Sequence, residues 1–261
     1  MAEIGQMKSK GSTDYKCPIC KDTGRVFFDK DGYSYIDDCE CGLLKKQAMA
    51  RRLKFADIPE SFKEMTLDTF KTDIYQDERS ERIIQTNVKA VNYWLEHFDE
   101  MKKRGQGLYF YSYTKGSGKT RLATSIANEL MTKRDVTVKF TTSIQLIDEI
   151  KATWDKDYEV TEHQLLLDLS KTEVLIIDDF GIEDVKAWLM ERFYQVINNR
   201  YIANLITIFT SNIGLENLKY DDRITNRIKE RSFTLAFPEE SIRDQIYKKR
   251  LKMRSRGYPL T

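Results

Sequence analysis

Four cysteines, Cys17, Cys20, Cys39 and Cys41, lie within 25 residues of one another. Their pattern is C-x2-C, an 18-residue spacer, then C-x-C. Two close thiolate pairs, each at the mouth of a tight turn, can converge on one tetrahedral ion, and this spacing is that of a zinc ribbon. Two disulfides do not suit a reducing compartment, and unrelated buried thiols would not cluster in this way. Four sulfur ligands close the coordination shell and leave no position for a substrate. The expected zinc is therefore structural, holding together a module too small to fold on its own core. The spacer supports this: Arg25-Val26-Phe27-Phe28 and Tyr33-Ser34-Tyr35-Ile36 flank Asp31-Gly32 as the arms of a β-hairpin.

A second group of residues suits phosphate chemistry. The run Tyr113-Thr114-Lys115-Gly116-Ser117-Gly118-Lys119-Thr120 follows an apolar strand and opens a helix, with Arg121 next. Against the phosphate-loop pattern G-x-x-x-x-G-K-[ST], Gly118, Lys119 and Thr120 fit, and Gly116 adds flexibility. Tyr113 stands where the first glycine belongs. Glycines let backbone N–H groups face phosphate oxygens, and the helix N-terminus adds positive potential. Lys119 would reach the β- and γ-phosphates of ATP, and the Thr120 hydroxyl would bind Mg²⁺. Fifty-nine residues after Lys119, Val174-Leu175-Ile176-Ile177 runs into Asp178-Asp179. A buried strand ending in two acids beside the phosphates supplies Asp178 as the second Mg²⁺ residue and Asp179 to orient the attacking water.

The elements that must position these groups follow from periodicity. Strands are expected at 107–112, 136–141, 173–178, 205–211 and 232–236, with amphipathic helices between them, among them 119–133. Such alternation makes an α/β fold with a parallel five-stranded sheet flanked by helices. Before it, 43–55 has helical spacing and a basic face, and 77–103 reads as one long helix that Gly105 stops. The domains expected are a zinc module at 1–46, a helical or ordered linker at 47–75 and an ATPase domain at 76–261. With 43 basic against 41 acidic residues, a uniformly basic binder is excluded, though a local basic groove is not. Apolar runs reach only four residues, against the roughly twenty of a membrane span. The expectation is a soluble, cytoplasmic protein without a membrane partner.

The helix ending Asn198-Asn199-Arg200-Tyr201 and the strand running into Thr210-Ser211-Asn212 resemble the AAA+ ATPases of the DnaC/DnaI helicase-loader group. The cysteine module ahead of the core makes the chain look most like the DnaI-type branch, over roughly residues 14–252. The resemblance implies an AAA+ P-loop fold and slow ATP hydrolysis, with Asn212 as sensor 1. Arg227 is implied as the finger that completes a neighbour's site, with Arg223 second, and Arg243 falls at the sensor 2 position. It further implies ATP-driven self-assembly into an open ring, a zinc module that grips a replicative hexameric helicase, and single-stranded DNA in the central channel. Lys151, Trp154 and Lys156, between the second and third core strands, mix charge and stacking as single strands require. The run from Lys248 to Arg256, six basic residues in nine, is a further candidate for phosphate contact or a solvated tail. Two alternatives stay open: an IstB-like transposition helper ATPase, which shares the core, and a nucleotide-gated adaptor or inhibitor of a replication factor that does not turn over.

Overall fold

The computed structural model describes residues 15–30, 32–155, 157–181 and 186–255. The chain divides into two units, Met1–Arg51 and Arg52–Thr261.

In the smaller unit, strands β1 (Arg25–Lys30) and β2 (Tyr33–Asp38) pair antiparallel, with Phe28 opposite Tyr35 and their rings stacked at 5.6 Å. The turn before β1 needs three departures from ordinary backbone within four residues: Lys21 and Asp22 have φ of 49° and 62°, and Gly24 has 74°. A side chain at Gly24 would also strike Leu44 at 2.7 Å. The Asp22 carboxylate holds the turn by accepting the backbone N–H of Cys17 at 2.9 Å. Apart from the cysteines and Val26 the ribbon has almost no apolar interior; Phe27, Tyr33 and Ile36 all face solvent. A unit built like this lacks the buried area that would offset its chain entropy.

Helix α1 (Leu43–Ala56) carries the chain from the smaller unit into the larger one. The larger unit contains the expected parallel sheet: β3 (Gly107–Tyr111), β4 (Val138–Thr142), β5 (Val174–Asp178), β6 (Ile206–Ser211) and β7 (Ser232–Ala236). Their spatial order is β4-β5-β6-β3-β7 and all four pairings are parallel. Strand alternation builds two cores. Leu108, Phe110, Val174, Ile176, Ile206 and Ile208 face one side, where α2 (Glu78–Glu96), α3 (Phe98–Arg104) and α4 (Lys119–Lys133) lie. Tyr109, Leu175, Ile177 and Phe209 face the other, where α5 (Ser143–Ala152), α6 (Glu162–Lys171), α7 (Ala187–Ile202) and α8 (Asp222–Arg231) lie. A last helix, α9 (Ile242–Ser255), follows β7.

The long helix expected over 77–103 is two helices. Asp77 caps α2 by accepting the N–H of Ser80, and the chain breaks at His97, whose φ of −100° and ψ of 24° are not helical. The apolar stripe continues through the break, since Trp94, Phe98 and Met101 are all buried, so periodicity alone could not reveal it. Gly105 closes α3 with a φ of 63°. Residues 56–75 pack into the first core through Ala56, Ile58 and Tyr75. Asn128 of α4 fixes their path by donating to the carbonyls of Phe62 and Met65, at 2.9 and 2.7 Å.

Strand register decides what can meet. Tyr111 lies level with Ser211 on one side and Ala236 on the other, and Thr142 lies level with Asp178. The residues that follow these strands therefore emerge along one edge of the sheet, the carboxyl end where ligands of open α/β folds bind.

Candidate nucleotide and metal sites

At that edge the phosphate loop turns from β3 into α4. Gly116 and Gly118 have φ of 77° and 98°, a region closed to most side chains. At Gly118 space forbids a side chain as well: a Cβ would lie 2.8 Å from the Tyr75 hydroxyl, which donates to the Ser117 carbonyl at 2.7 Å. Lys119 is 95% buried at the start of α4 (5% exposed). Its Nζ donates to the carbonyls of Ser112 and Thr114, the Ser117 hydroxyl and Asn212 Oδ1, the last at 3.0 Å. Burial pushes its pKa down, opposed by the charges of Asp179, Glu239 and Asp178. A cation held among neutral oxygens at a helix N-terminus has the chemistry to accept an anion.

The two acids play different structural parts. Asp178, the last residue of β5, accepts the Thr120 hydroxyl at 2.9 Å and a short hydrogen bond from the Thr210 hydroxyl. Burial raises its pKa, with neighbouring Asp179 adding to the effect. A buried carboxylate paired with a hydroxyl from the phosphate loop offers the hard oxygen donors that Mg²⁺ takes. Asp179 has turned into the left-handed region, φ 52°, with its N–H bonded to Thr210 Oγ1 at 3.0 Å. Asn212 bridges the pair across the site, accepting from Lys119 and donating to Asp179 Oδ1 at 3.4 Å. Lys119, Thr120, Asp178, Asp179 and Asn212 thus converge from three strand ends.

The remaining candidates are placed less centrally. Thr114 and the exposed Lys115 lie on the loop. Arg121 points away from Lys119, donating to the Thr69 carbonyl with its guanidinium 5.7 Å from the Phe70 ring. Arg243 is exposed at the start of α9, and its helix is tied to the loop where Ile242 N–H donates to the Gly116 carbonyl at 3.0 Å. Arg227 and Arg223 sit on α8 against tyrosines of α7 and make no contact with this chain's own loop among the bonds described.

Three residues of the site gave no sequence signal of their role. Tyr75 came from a stretch read as linker. Thr210 was visible only as part of a Thr-Ser-Asn run. Glu239 braces the start of the loop, where Tyr113 stands in place of the first glycine: its two carboxylate oxygens accept the N–H groups of Tyr113 and Thr114 at 2.9 and 2.7 Å. The Tyr113 ring points outward, and its hydroxyl accepts from Asn217 at 3.1 Å.

In the smaller unit the four sulfur atoms lie within 4.8 Å of one another, and Cys17–Cys39 and Cys20–Cys41 are both 3.7 Å apart. Tetrahedral zinc with bonds of about 2.3 Å needs sulfurs about 3.8 Å apart. The four side chains fit that ion.

A parallel sheet with a phosphate loop after its first strand, paired acids after its third and an asparagine after its fourth defines the chain as an AAA+ P-loop protein. The sequence from 111 to 249 matches the family of IstB-like ATP binding proteins, and the chain belongs to that family. It is 25% identical to the phage-like element PBSX protein XkdC of Bacillus subtilis (strain 168), over 83% of this chain and 79% of that protein. It is 26% identical to the replicative helicase loader DnaC of Buchnera aphidicola subsp. Baizongia pistaciae (strain Bp), over 64% of this chain and 73% of that one. The crystal structure of the DnaC helicase loader superposes with a TM-score of 0.58 at 22% identity, covering 69% of this chain and 100% of that one. That last likeness is one of fold. The family match establishes an ATP-binding core.

Proposed function

We propose that the protein is an ATP-dependent loader of a replicative hexameric helicase, acting with single-stranded DNA. The observation that carries the ATP-dependent part is the convergence of Lys119, Thr120, Asp178, Asp179 and Asn212 at one sheet edge. Lys119 and the amides of the loop hold the phosphates, and Thr120 with Asp178 hold Mg²⁺, which neutralises phosphate charge when bound. Asp179, kept in place by Thr210 and Asn212, orients water for attack on the γ-phosphate. Arg243 enters from α9, and Arg227 reaches the pocket of a neighbouring copy.

The loading role draws support from relatives named as replicative helicase loaders, several of them DnaC proteins. The family match covers 111–249, the core shared with transposition helpers, and leaves the cysteine module outside it. That module, with Phe27, Tyr33 and Ile36 exposed on a rigid ribbon, is the part we assign to the helicase. For DNA we assign α5 and the turn after it. Trp154 is half-exposed, its ring 5.1 Å from that of Trp188 and its Nε1 bonded to Glu162 at 3.0 Å, with Lys151 one turn before. Lys156 and Arg256 lie outside the described residues.

The test is to immobilise the full chain and offer it cognate hexameric helicase with and without ATP, then to measure ATP hydrolysis with and without single-stranded DNA. Retention of the helicase, lost on Cys39→Ser plus Cys41→Ser, supports the reading. Helicase binding without any hydrolysis would instead favour a nucleotide-gated adaptor.

A further inference from the structure

Helices α7 and α8 meet through an alternating stack of cations and rings. On α7, Tyr194, Asn198 and Tyr201 are spaced i, i+4, i+7, and so share one face. On α8, Arg223, Arg227 and Arg231 are spaced i, i+4, i+8, and share the face opposite. Arg223 lies 4.7 Å from the Tyr194 ring; Arg227 lies 5.2 Å from Tyr194 and 5.4 Å from Tyr201; Arg231 lies 4.6 Å from Tyr201. Each distance is within the range of attraction between a cation and an aromatic face. Arg223 is also paired with Asp221, its Nε and Nη2 donating to the two carboxylate oxygens at 2.9 and 3.1 Å, whereas the central Arg227 is held by neutral partners alone. Its guanidinium sits between two rings, with Nε donating to Asn198 Oδ1 at 3.0 Å and Nη1 to the Arg223 carbonyl at 2.7 Å. Tyr201 is itself anchored, its hydroxyl 2.8 Å from both carboxylate oxygens of Glu230.

We infer that Tyr194 and Tyr201 are positioning residues for a trans-acting arginine: their rings fix the direction in which Arg227 leaves α8, so that it meets a neighbour's ATP without first losing side-chain freedom. This rests on the reading of Arg227 as the residue that completes a neighbour's site. A flexible arginine has to be ordered at each encounter, and holding it beforehand removes that cost. Ring stacking suits this purpose, because it restrains the guanidinium plane while N–H groups at its edge stay free to donate.

The test separates the ring's electrons from its bulk and the finger from its own subunit's pocket. An Arg227→Ala chain keeps an intact pocket without a finger; a Lys119→Ala chain keeps a finger without a working pocket. Mixed on single-stranded DNA with ATP, they hydrolyse only where the second serves the first. Tyr194→Leu or Tyr194→Phe is then added to the Lys119→Ala chain alone. Both replacements pack, but only phenylalanine offers an aromatic face. We expect Phe to keep the restored rate within about twofold and Leu to lower it about tenfold, the scale of one partly buried cation–ring contact. Melting temperatures of the Leu and Phe chains should agree. Equal rates for Leu and Phe would overturn the inference, leaving Tyr194 as packing only. Tyr201→Leu and Tyr201→Phe repeat the comparison on the other ring if Tyr194→Leu does not fold. If the mixture without any tyrosine change restores nothing, the reading of Arg227 fails, and the inference with it.

Discussion

Among the described residues Lys119 is the only side-chain cation in hydrogen-bond contact with both the loop carbonyls and Asn212, and its removal deletes the one charge placed there to meet phosphates. Lys119→Ala should weaken ATP binding by about a hundredfold, read by fluorescence of a labelled nucleotide. Asp179→Asn should bind normally and lose turnover, because Thr120 and Asp178 stay in place; equal loss of binding in the two variants would mean the roles are wrongly divided. Asp178 carries a further consequence. Burial raises its folded pKa, so the ionised form is disfavoured in the folded protein and costs stability at every pH above that value. Asp178→Asn should therefore raise the melting temperature without nucleotide at pH 7, while abolishing Mg²⁺-dependent binding. The difference from the native protein should shrink as pH falls through the folded pKa and vanish below the unfolded value of about 3.9. A lower melting temperature for the variant at pH 7 would contradict this. The contrast between these residues and Glu239 shows what a sequence exposes. The loop and the paired acids are contiguous motifs, legible because the chemistry needs neighbours in the chain. Glu239 reaches Tyr113 only because β7 pairs with β3 in a register that sets Ala236 level with Tyr111. No local pattern encodes that. Glu239→Gln, able to accept only one of the two N–H groups, should weaken nucleotide binding about fivefold.

Among the elements, the four-cysteine ribbon was legible from spacing alone, since four clustered thiols and a hairpin leave little freedom. Its lack of an apolar interior makes the expected effect of metal loss local. Cys39→Ser plus Cys41→Ser should abolish stoichiometric zinc, measured by elemental analysis, and disorder the hairpin, while nucleotide binding by residues from 52 onward persists. Loss of nucleotide binding in that variant would contradict the division into two units. Arg200 was less legible. Its position at the end of α7 served as a family marker, but its burial did not show in the sequence, because its partners come from separate elements. Only 1% exposed, it donates to the carbonyls of Leu169 and Thr172 at 2.7 Å, to the Ile206 carbonyl and to Thr207 Oγ1 at 2.9 Å. It joins the end of α6, the approach to β5 and the start of β6, and burial works against its charge. Arg200→Met should cost about 3 kcal/mol in chemical denaturation by leaving those carbonyls unpaired, with the site residues untouched at the opposite ends of the strands.

At the scale of the whole molecule, alternating strand and helix periods made the parallel sheet legible, with the strands within about two residues of their expected positions. The spatial order was not: β3 lies between β6 and β7 although β4 and β5 come next in the chain, and only tertiary packing selects that arrangement. The same order brings the ends of β3, β5 and β6 to one edge and so gathers Lys119, Asp178 and Asn212 from three distant stretches. Exposed aromatics lie on the four-cysteine ribbon, and Arg227 makes no contact with its own chain's phosphate loop among the bonds described. The most direct test is loading itself: closed circles of single-stranded DNA coated with single-strand-binding protein, cognate hexameric helicase, and the onset of unwinding of an annealed strand. The account predicts that unwinding requires this protein and ATP, and is lost with Lys119→Ala and with Cys39→Ser plus Cys41→Ser. Unwinding that proceeds at the same rate without the protein, or that is unaffected by both variants, would contradict it.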